Sequence, residues 1–146
     1  MVPGAYGRSW RQIQFQSWNR MSFDWSSYLT LAKELSNKVD EFPDQEAVYR
    51  SVVSRAYYSV FCLARNYVRD VDRSEFHGNA HKELQDYLKN HPHRPRKKIG
   101  NQLRDLHQHR LKADYDDDLG EQPQNKASRA VALANKIITG LADIYS

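Results

Sequence analysis

The segment from Gln45 to Asp70 constrains the fold more than any other part of the sequence, because its apolar residues leave little room for a polar face. At about 100° per residue of an α-helix, they cover most of the circumference beyond the first turn. They are Val48, Val52, Val53, Ala56, Tyr57, Tyr58, Val60, Phe61, Leu63, Ala64, Tyr67 and Val68. A helix that is apolar on most sides must be surrounded by other elements. The sequence therefore predicts a bundle built around this helix, with Asp44 as its N-cap.

Helical spacing of apolar residues recurs in four further segments, and no alternating pattern indicates a strand. The predicted helices are Trp25–Val39, Asn79–Lys89, Lys97–Tyr115 and Lys126–Tyr145. Pro92 and Pro95 are expected to prevent a continuous helix across this part of the chain. Residues 116–124 are predicted to form a loop. The predicted fold is all-α, an antiparallel four-helix up-and-down bundle with an additional short helix.

The chain has the size of one domain, with 146 residues and a mass of 17.1 kDa. Residues 21–146 are predicted to form the helical domain. Residues 1–20 contain three arginines and no acid, and are predicted to be a flexible basic N-terminal arm or extension. Cys62 is the only cysteine, so no internal disulfide can form. No apolar run resembles a membrane span or a signal peptide, and a cytoplasmic location is expected.

Positive charge is concentrated in one segment. Residues 91–112 hold seven of the 22 Lys and Arg residues but only one of the 18 acids, and the rest of the chain carries more acids than bases. A cluster of this kind attracts phosphates through its field and through counterion release. The candidate nucleic-acid-binding residues are Arg94, Arg96, Lys97, Lys98 and Lys112. The alternative interpretation is a solvated basic loop that has no ligand.

Two arginines fall on helix sides that are otherwise apolar. Arg55 lies among the apolar residues of the central helix, where a buried guanidinium needs an acceptor, usually a carboxylate. Arg110 lies in the centre of an apolar stripe on the fourth predicted helix. Asp114 follows four residues later, about 40° away around the helix, so the two side chains can form an ion pair. Such a pair could serve only to lock the fourth helix to the core.

Two short motifs together resemble one known family. The segment 54–58 reads SRAYY and is followed by Phe61, while the segment 110–116 reads RLKADYD. In this order, inside a five-helix pattern, they resemble the HEPN family of small helical bundles over about residues 23–145. The resemblance implies a homodimer in which the motif-bearing helices flank a cleft, with RNA or a nucleotide as ligand. Many HEPN proteins are ribonucleases that need no metal ion and act as toxins or in defence against phage.

The ribonuclease signature of that family is an arginine, a polar residue, three further residues and a histidine, and this sequence offers two registers for it. Arg104, Asp105 and His109 fit the signature literally. When the surrounding motif is aligned instead, Arg110 takes the place of the arginine and Asp114 that of the histidine. The resemblance implies that the histidine moves a proton and that the arginine stabilises charge on the phosphate. In the second register the acid–base group is missing, because an aspartate is ionised at neutral pH.

Three classes of function follow from these observations. The first is a metal-independent endoribonuclease of toxin or phage-defence type, with Arg104, Asp105, His109 and Arg110 as candidate catalytic residues. The second is a non-catalytic module that binds a nucleotide or a nucleotidyltransferase, with Arg55, Tyr58, Asp114 and Tyr115 as structural or interface residues. Tyr115 is then a candidate for modification by the nucleotidyltransferase. An antitoxin is a further candidate partner of the protein. The third is a basic adaptor that binds RNA or DNA.

No cofactor or metal site is predicted. His91 and His93 flank a proline, whereas His107 and His109 lie two residues apart on a helix and point in different directions. No cysteine or clustered carboxylate completes a zinc site at ligand spacing. Cys62 lies in an apolar stretch and is expected to be buried.

Overall fold

The computed structural model describes residues 22–146, and this part of the chain is a bundle of five α-helices without a strand. The helices are α1 (Ser27–Asn37), α2 (Gln45–Asp70), α3 (Ala80–Lys89), α4 (Arg94–Tyr115) and α5 (Pro123–Tyr145), with a 3₁₀ turn at Val39–Glu41. The predicted all-α bundle of four main helices and a short one, α3, is therefore confirmed. The predicted arm, residues 1–20, lies outside the described residues.

Helix α2 is the centre of the bundle. It packs against α5, α1 and α4, while α3 packs mainly on α4. Its buried side chains spread over most of its circumference, which confirms that the helix is surrounded. The residues of α2 with no exposed surface are Val52, Ala56, Tyr57, Ser59, Val60, Ala64 and Val68. Small buried residues of α5, namely Ala127, Ala130 and Ala134, allow the two longest helices to approach each other closely.

The structure corrects two predicted helix starts. Helix α4 begins at Arg94 instead of Lys97, and α5 begins at Pro123 instead of Lys126. The reason is that Pro95 and Pro123 lie in the first turn of their helices, where a backbone N–H has no carbonyl partner within the helix. The fixed φ angle of proline therefore starts these helices and does not interrupt them.

Arg50 of α2 holds the end of α4 in place. Its guanidinium donates hydrogen bonds to the carbonyl oxygens of Ala113, Asp116 and Asp117 at 3.0, 2.7 and 3.1 Å. Glu46, one turn earlier, orients the guanidinium through a 2.9 Å contact with its Nε atom. The last carbonyls of a helix lack partners within the helix, and acids beside them are opposed by the helix dipole. Arg50 offsets both effects and fixes the loop that follows α4.

Helices α3 and α4 approach each other closely at Gly100. A Cβ atom at this position would lie 2.6 Å from the backbone nitrogen of Lys89 and 3.0 Å from the Cβ atom of Leu88. Because the first of these atoms belongs to the main chain, it cannot move aside without shifting α3. This close contact brings the side chains of His81 and Gln85 on α3 within hydrogen-bonding and stacking distance of α2 and α4.

Candidate functional site

The first motif places Tyr58 against two arginines. The Cζ atom of Arg110, on α4, lies 4.9 Å from the centre of the Tyr58 ring, and that of Arg55 lies 5.3 Å from the same centre. Arg55 also lies 4.8 Å from the centre of the Tyr28 ring on α1. Contacts of this kind contribute roughly 0.5–1 kcal/mol each at partly exposed sites. We call these four residues, together with Tyr115, the tyrosine–arginine face.

The predicted ion pair on α4 is present. The Nε atom of Arg110 lies 2.8 Å from Oδ2 of Asp114, and the hydroxyl of Ser54 donates a 3.3 Å hydrogen bond to the same oxygen. The Arg110 side chain is only 12% exposed, whereas that of Asp114 is 26% exposed, so the pair lies at the boundary between the core and solvent. The ring of Tyr115 lies 5.7 Å from Cζ of Arg110 and is 71% exposed. The pair therefore joins α4 to α2 and leaves an aromatic ring at the edge of the face.

The acceptor expected for Arg55 is a hydroxyl and not the usual carboxylate. The side chain is half-buried, and its Nη2 atom donates a 3.3 Å hydrogen bond to the hydroxyl of Ser54. Within residues 22–146 no carboxylate oxygen lies within 4.0 Å of its guanidinium. The rings of Tyr28 and Tyr58 cover the guanidinium instead. An aromatic ring attracts a cation but carries no net charge, so the positive charge of Arg55 is not neutralised.

Two histidines from different helices stack beside this face. The ring centres of His81 on α3 and His107 on α4 are 5.1 Å apart, and their planes are within 7°. Phe61 stacks on His81 at 4.2 Å, and Tyr57 stacks on His107 at 5.1 Å. The Tyr57 hydroxyl lies 2.6 Å from Nδ1 of His81, and the Nε2 atom of Gln85 donates to Nδ1 of His107 at 3.0 Å. We call His81 and His107 the imidazole pair.

Both imidazoles are neutral at pH 7. Burial, His107 and Arg110 lower the pKa of His81, and burial and Arg110 lower the pKa of His107. Burial raises the pKa of the Tyr57 hydroxyl, so this group keeps its proton. Because the amide nitrogen of Gln85 can only donate, neutral His107 carries its proton on Nε2.

His81 belongs to neither register of the HEPN signature, and His107 stands out in the sequence only as part of a histidine pair. One signal was available. His81 and Gln85 lie four residues apart and so share one side of a short amphipathic helix with Leu84 and Leu88. Polar residues on the inward side of a helix need partners on the elements that it packs against.

A comparison with protein-family models identifies the family of this helical bundle. The model described as HEPN domain matches residues 29–144 and so includes both motifs. The chain belongs to the HEPN family. No curated protein and no solved structure matches the chain significantly. HEPN domains often dimerise, and they generally bind nucleotides or act in processes that involve RNA.

The literal register of the HEPN signature is not assembled around Arg110. Arg104 is exposed and contacts its neighbour Asp105, with 3.2 Å between Nη2 and Oδ1. His109 faces α5, where burial and the charges of Lys126 and Arg129 lower its pKa. Arg110, in contrast, packs against α2. One protomer therefore does not bring His109 and Arg110 together on the tyrosine–arginine face.

The basic segment of this HEPN domain is divided between separate places. Arg94, Lys97 and Lys98 are exposed on the first turns of α4. Arg94 and Lys98 line an open groove between α4 and α5, with Lys136 on the opposite side. Lys112 lies 14 residues after Lys98, which is about 21 Å along the helix axis at a rise of about 1.5 Å per residue. Its Nζ atom pairs with Oδ2 of Asp116 at 3.4 Å.

Arg96 belongs to an internal network and not to this basic surface. Its Nη2 atom lies 3.2 Å from Oδ1 of Asp72, and its Cζ atom lies 4.9 Å from the centre of the Tyr145 ring. Asp72 also accepts hydrogen bonds from the hydroxyls of Tyr87 and Tyr145 at 3.0 and 2.8 Å. The position of Arg96 therefore does not support its predicted role in nucleic-acid binding.

Within residues 22–146 no three His, Cys, Asp or Glu side chains cluster so that they could hold a metal ion. In the same part of the chain no helix has the length and apolar character to cross a membrane. Cys62 is buried, as expected.

Proposed function

We propose that this HEPN protein binds single-stranded RNA at the tyrosine–arginine face. The observation that carries the proposal is the half-buried guanidinium of Arg55, which stacks on Tyr58 and has no carboxylate partner among residues 22–146. A cation in this position attracts a phosphate, and the neighbouring rings can stack on bases. Single-stranded RNA supplies both groups at once, because its bases are free to stack.

A second arginine on α2, further along the helix from Arg55, favours the same ligand. Arg65, ten residues later on α2, lies 5.8 Å from the centres of the Trp25 and Phe61 rings, and the described part of the chain provides no carboxylate within 4.0 Å of it. Tyr115 adds an exposed ring beside Arg110. Cations interleaved with aromatic rings are typical of surfaces that bind single strands with little sequence preference.

Cleavage of the bound RNA without a metal ion is a second candidate function. The observation that favours it is that Arg110 and His81 both contact the Tyr58 ring, at 4.9 and 6.0 Å from its centre, and that His107 stacks on His81. A guanidinium can stabilise charge on a phosphate, and a neutral imidazole can accept a proton at pH 7. The competing interpretation is that the same face binds a free nucleotide, a nucleotidyltransferase or an antitoxin and that no bond is cleaved.

Replacing Arg55 tests the RNA-binding proposal. We expect Arg55→Gln to weaken binding of a labelled 12-nucleotide RNA about fivefold or more, because one phosphate contact is lost. The slope of log affinity against log salt should fall by about 0.7, the value for one contact to a single strand. Fluorescence anisotropy over a series of salt concentrations measures both quantities.

The matched control is Arg69→Gln, which removes the same charge from the same helix. Arg69 pairs with Asp70 at 2.7 Å and lies 14 residues from Arg55, about 21 Å along the axis and beyond the Debye length of ~10 Å. RNA affinity should hardly change in this variant. Equal effects of the two substitutions, or no binding by the unmodified protein, would show that the face does not bind RNA.

We further infer that the protein forms a homodimer that places two such faces beside one cleft. Two exposed aromatic residues next to the motifs, Phe23 at 49% and Tyr115 at 71%, support an association near this face. Sedimentation equilibrium at micromolar concentration should give twice the 17.1 kDa of the chain. A single species of 17.1 kDa would contradict the dimer and leave each face to act alone.

A further inference from the structure

The imidazole pair suggests how RNA bound at the tyrosine–arginine face could be cleaved, an inference that rests on the proposed function. We propose that His81 is the general base that takes the proton from a ribose 2′-hydroxyl, and that His107 and Arg110 bind the non-bridging oxygens of the adjacent phosphate. Both registers of the HEPN signature place the position of the acid–base histidine on α4, at residue 109 or 114. This assignment places the acid–base group on α3 instead.

The three side chains form one continuous group. The centre of the Tyr58 ring lies 4.9 Å from Cζ of Arg110 and 6.0 Å from the centre of the His81 ring. The ring of His81 in turn stacks on His107 at 5.1 Å. His107 and Arg110 lie three residues apart on α4 and so share one side of this helix, which places a phosphate held by Arg110 next to His107 and the ring that stacks on it. Their half-buried rings keep an edge open to a ligand.

Hydrogen bonds from the interior give the two histidines different roles. Nδ1 of His107 accepts a hydrogen bond from the amide of Gln85, so its Nε2–H is a fixed donor, and protonation at Nδ1 would set two donors against each other. Nδ1 of His81 faces the Tyr57 hydroxyl, whose oxygen can accept the Nδ1–H; in this tautomer Nε2 carries no hydrogen and is free to act as the base. His81 can therefore gain a proton without losing its hydrogen bond, and His107 cannot. In each ring only Nε2 is left for the substrate.

The step that follows is a transesterification. Nε2 of His81 accepts the proton of the 2′-hydroxyl while the bond from the 2′-oxygen to phosphorus forms. The bond from phosphorus to the 5′-oxygen breaks, and the 5′-oxygen takes a proton from water; the hydroxide that remains takes the proton from the His81 imidazolium and so restores the basic form. The products are one RNA with a 2′,3′-cyclic phosphate and one with a 5′-hydroxyl. The Nε2–H of His107 and the guanidinium of Arg110 stabilise the charge that grows on the phosphate oxygens.

The pH dependence of cleavage should report His81. The titratable and charged groups that face it are Tyr57 and Tyr58 on α2, and His107 and Arg110 on α4. Because burial and the positive charges lower its pKa below about 6.5, the basic form is present at pH 7. Cleavage should rise with pH through a midpoint below 6.5 and then stay constant through neutral pH.

The test compares His81→Ala with His77→Ala, a histidine in the exposed segment before α3. Each variant is incubated in EDTA with a labelled RNA of mixed sequence. RNA affinity is measured separately by anisotropy, and folding by circular dichroism. We expect His81→Ala to bind RNA but to cleave it at least a hundredfold more slowly. Imidazole added to the buffer should restore part of the activity, which a purely structural role would not allow.

Each other outcome overturns a defined part of the proposal. Binding without cleavage by the unmodified protein removes the catalytic assignment and keeps the RNA site. Failure to bind RNA removes the proposed function together with this inference. Undiminished cleavage by His81→Ala, or loss of cleavage in His109→Ala with His81→Ala active, returns the proton transfer to the literal register on α4. If His81→Ala does not fold, His81→Gln, which is closer in size, takes its place, and undiminished cleavage by that variant contradicts the assignment.

Discussion

Arg110→Lys is expected to weaken RNA binding about tenfold or more, although it keeps the positive charge. The guanidinium of Arg110 stacks on Tyr58 and pairs with Asp114 through Nε, which leaves its terminal nitrogens for a phosphate. A lysine ammonium cannot stack, donate in a fork and hold the pair in the same way. The expected loss corresponds to about 1.4 kcal/mol of binding free energy, and anisotropy with the labelled RNA measures it.

The control for this substitution is Arg104→Lys. Arg104 lies on the same helix, is exposed and contacts only its neighbour Asp105 among the ion pairs of residues 22–146. The chemical change is the same, and the expected change in RNA affinity is less than twofold. A larger loss in the Arg104 variant than in the Arg110 variant would favour the literal register of the HEPN signature as the RNA site.

Asp72→Asn should lower the free energy of unfolding by about 3 kcal/mol. Asp72 and Arg96 are only 10% and 16% exposed, and the loss of one charge leaves the other buried without its partner. The Nε atom of Arg96 already has no hydrogen-bond partner in the structure, so the guanidinium depends on this carboxylate. Tyr87 and Tyr145 lose a charged acceptor at the same time. Urea denaturation monitored by circular dichroism gives the difference.

The neighbouring carboxylate supplies a matched comparison. Asp70 pairs with Arg69 at 2.7 Å, but the two side chains are 61% and 44% exposed. Exposed pairs contribute roughly 0–1 kcal/mol. Asp70→Asn should therefore change the free energy of unfolding by less than about 1 kcal/mol. Equal losses in the two variants would mean that the network around Asp72 has no special importance for stability.

The hydrogen bonds to Asp72 also predict how the free energy of unfolding changes at low pH. Burial alone would raise the pKa of Asp72, but hydrogen bonds from Tyr145, Arg96 and Tyr87 lower it below its ordinary value near 3.9. A lowered carboxyl pKa stabilises the folded state above the unfolded value, and this stabilisation is lost as the pH falls towards the folded value. Below pH 4, the unmodified protein should therefore lose more stability than Asp72→Asn does.

The sequence predicts those features that depend on residues close together in the chain. The apolar surface of α2 identifies it as the central helix, and the spacing of Arg110 and Asp114 predicts their ion pair. The start of α4 is predicted too late because Pro95 is read as a helix breaker, although proline is well suited to the first turn, and the start of α5 because Pro123 is not considered for the same place. These errors concern boundaries and not the existence of the helices.

Features that depend on contacts between distant segments are not predictable in the same way. Spacing shows that Arg55 lies on an apolar side of α2, but it does not show that aromatic rings rather than a carboxylate cover it. His81 meets His107 only because α3 folds back onto α4 at Gly100, a contact between residues on two different helices. The imidazole pair therefore becomes visible only in the folded chain.

The way in which Arg50 binds the loop after α4 has a consequence for variation within the family. Its three hydrogen bonds go to main-chain carbonyls of residues 113, 116 and 117, which any amino acid provides. A substitution at Asp117 in a related protein therefore leaves the hydrogen bond from Arg50 to the main chain intact. The arginine has no such freedom, because no other side chain donates to three diverging carbonyls from one planar group. Position 50 of α2 should therefore vary less among related proteins than the side chain at position 117, of which Arg50 binds only the carbonyl.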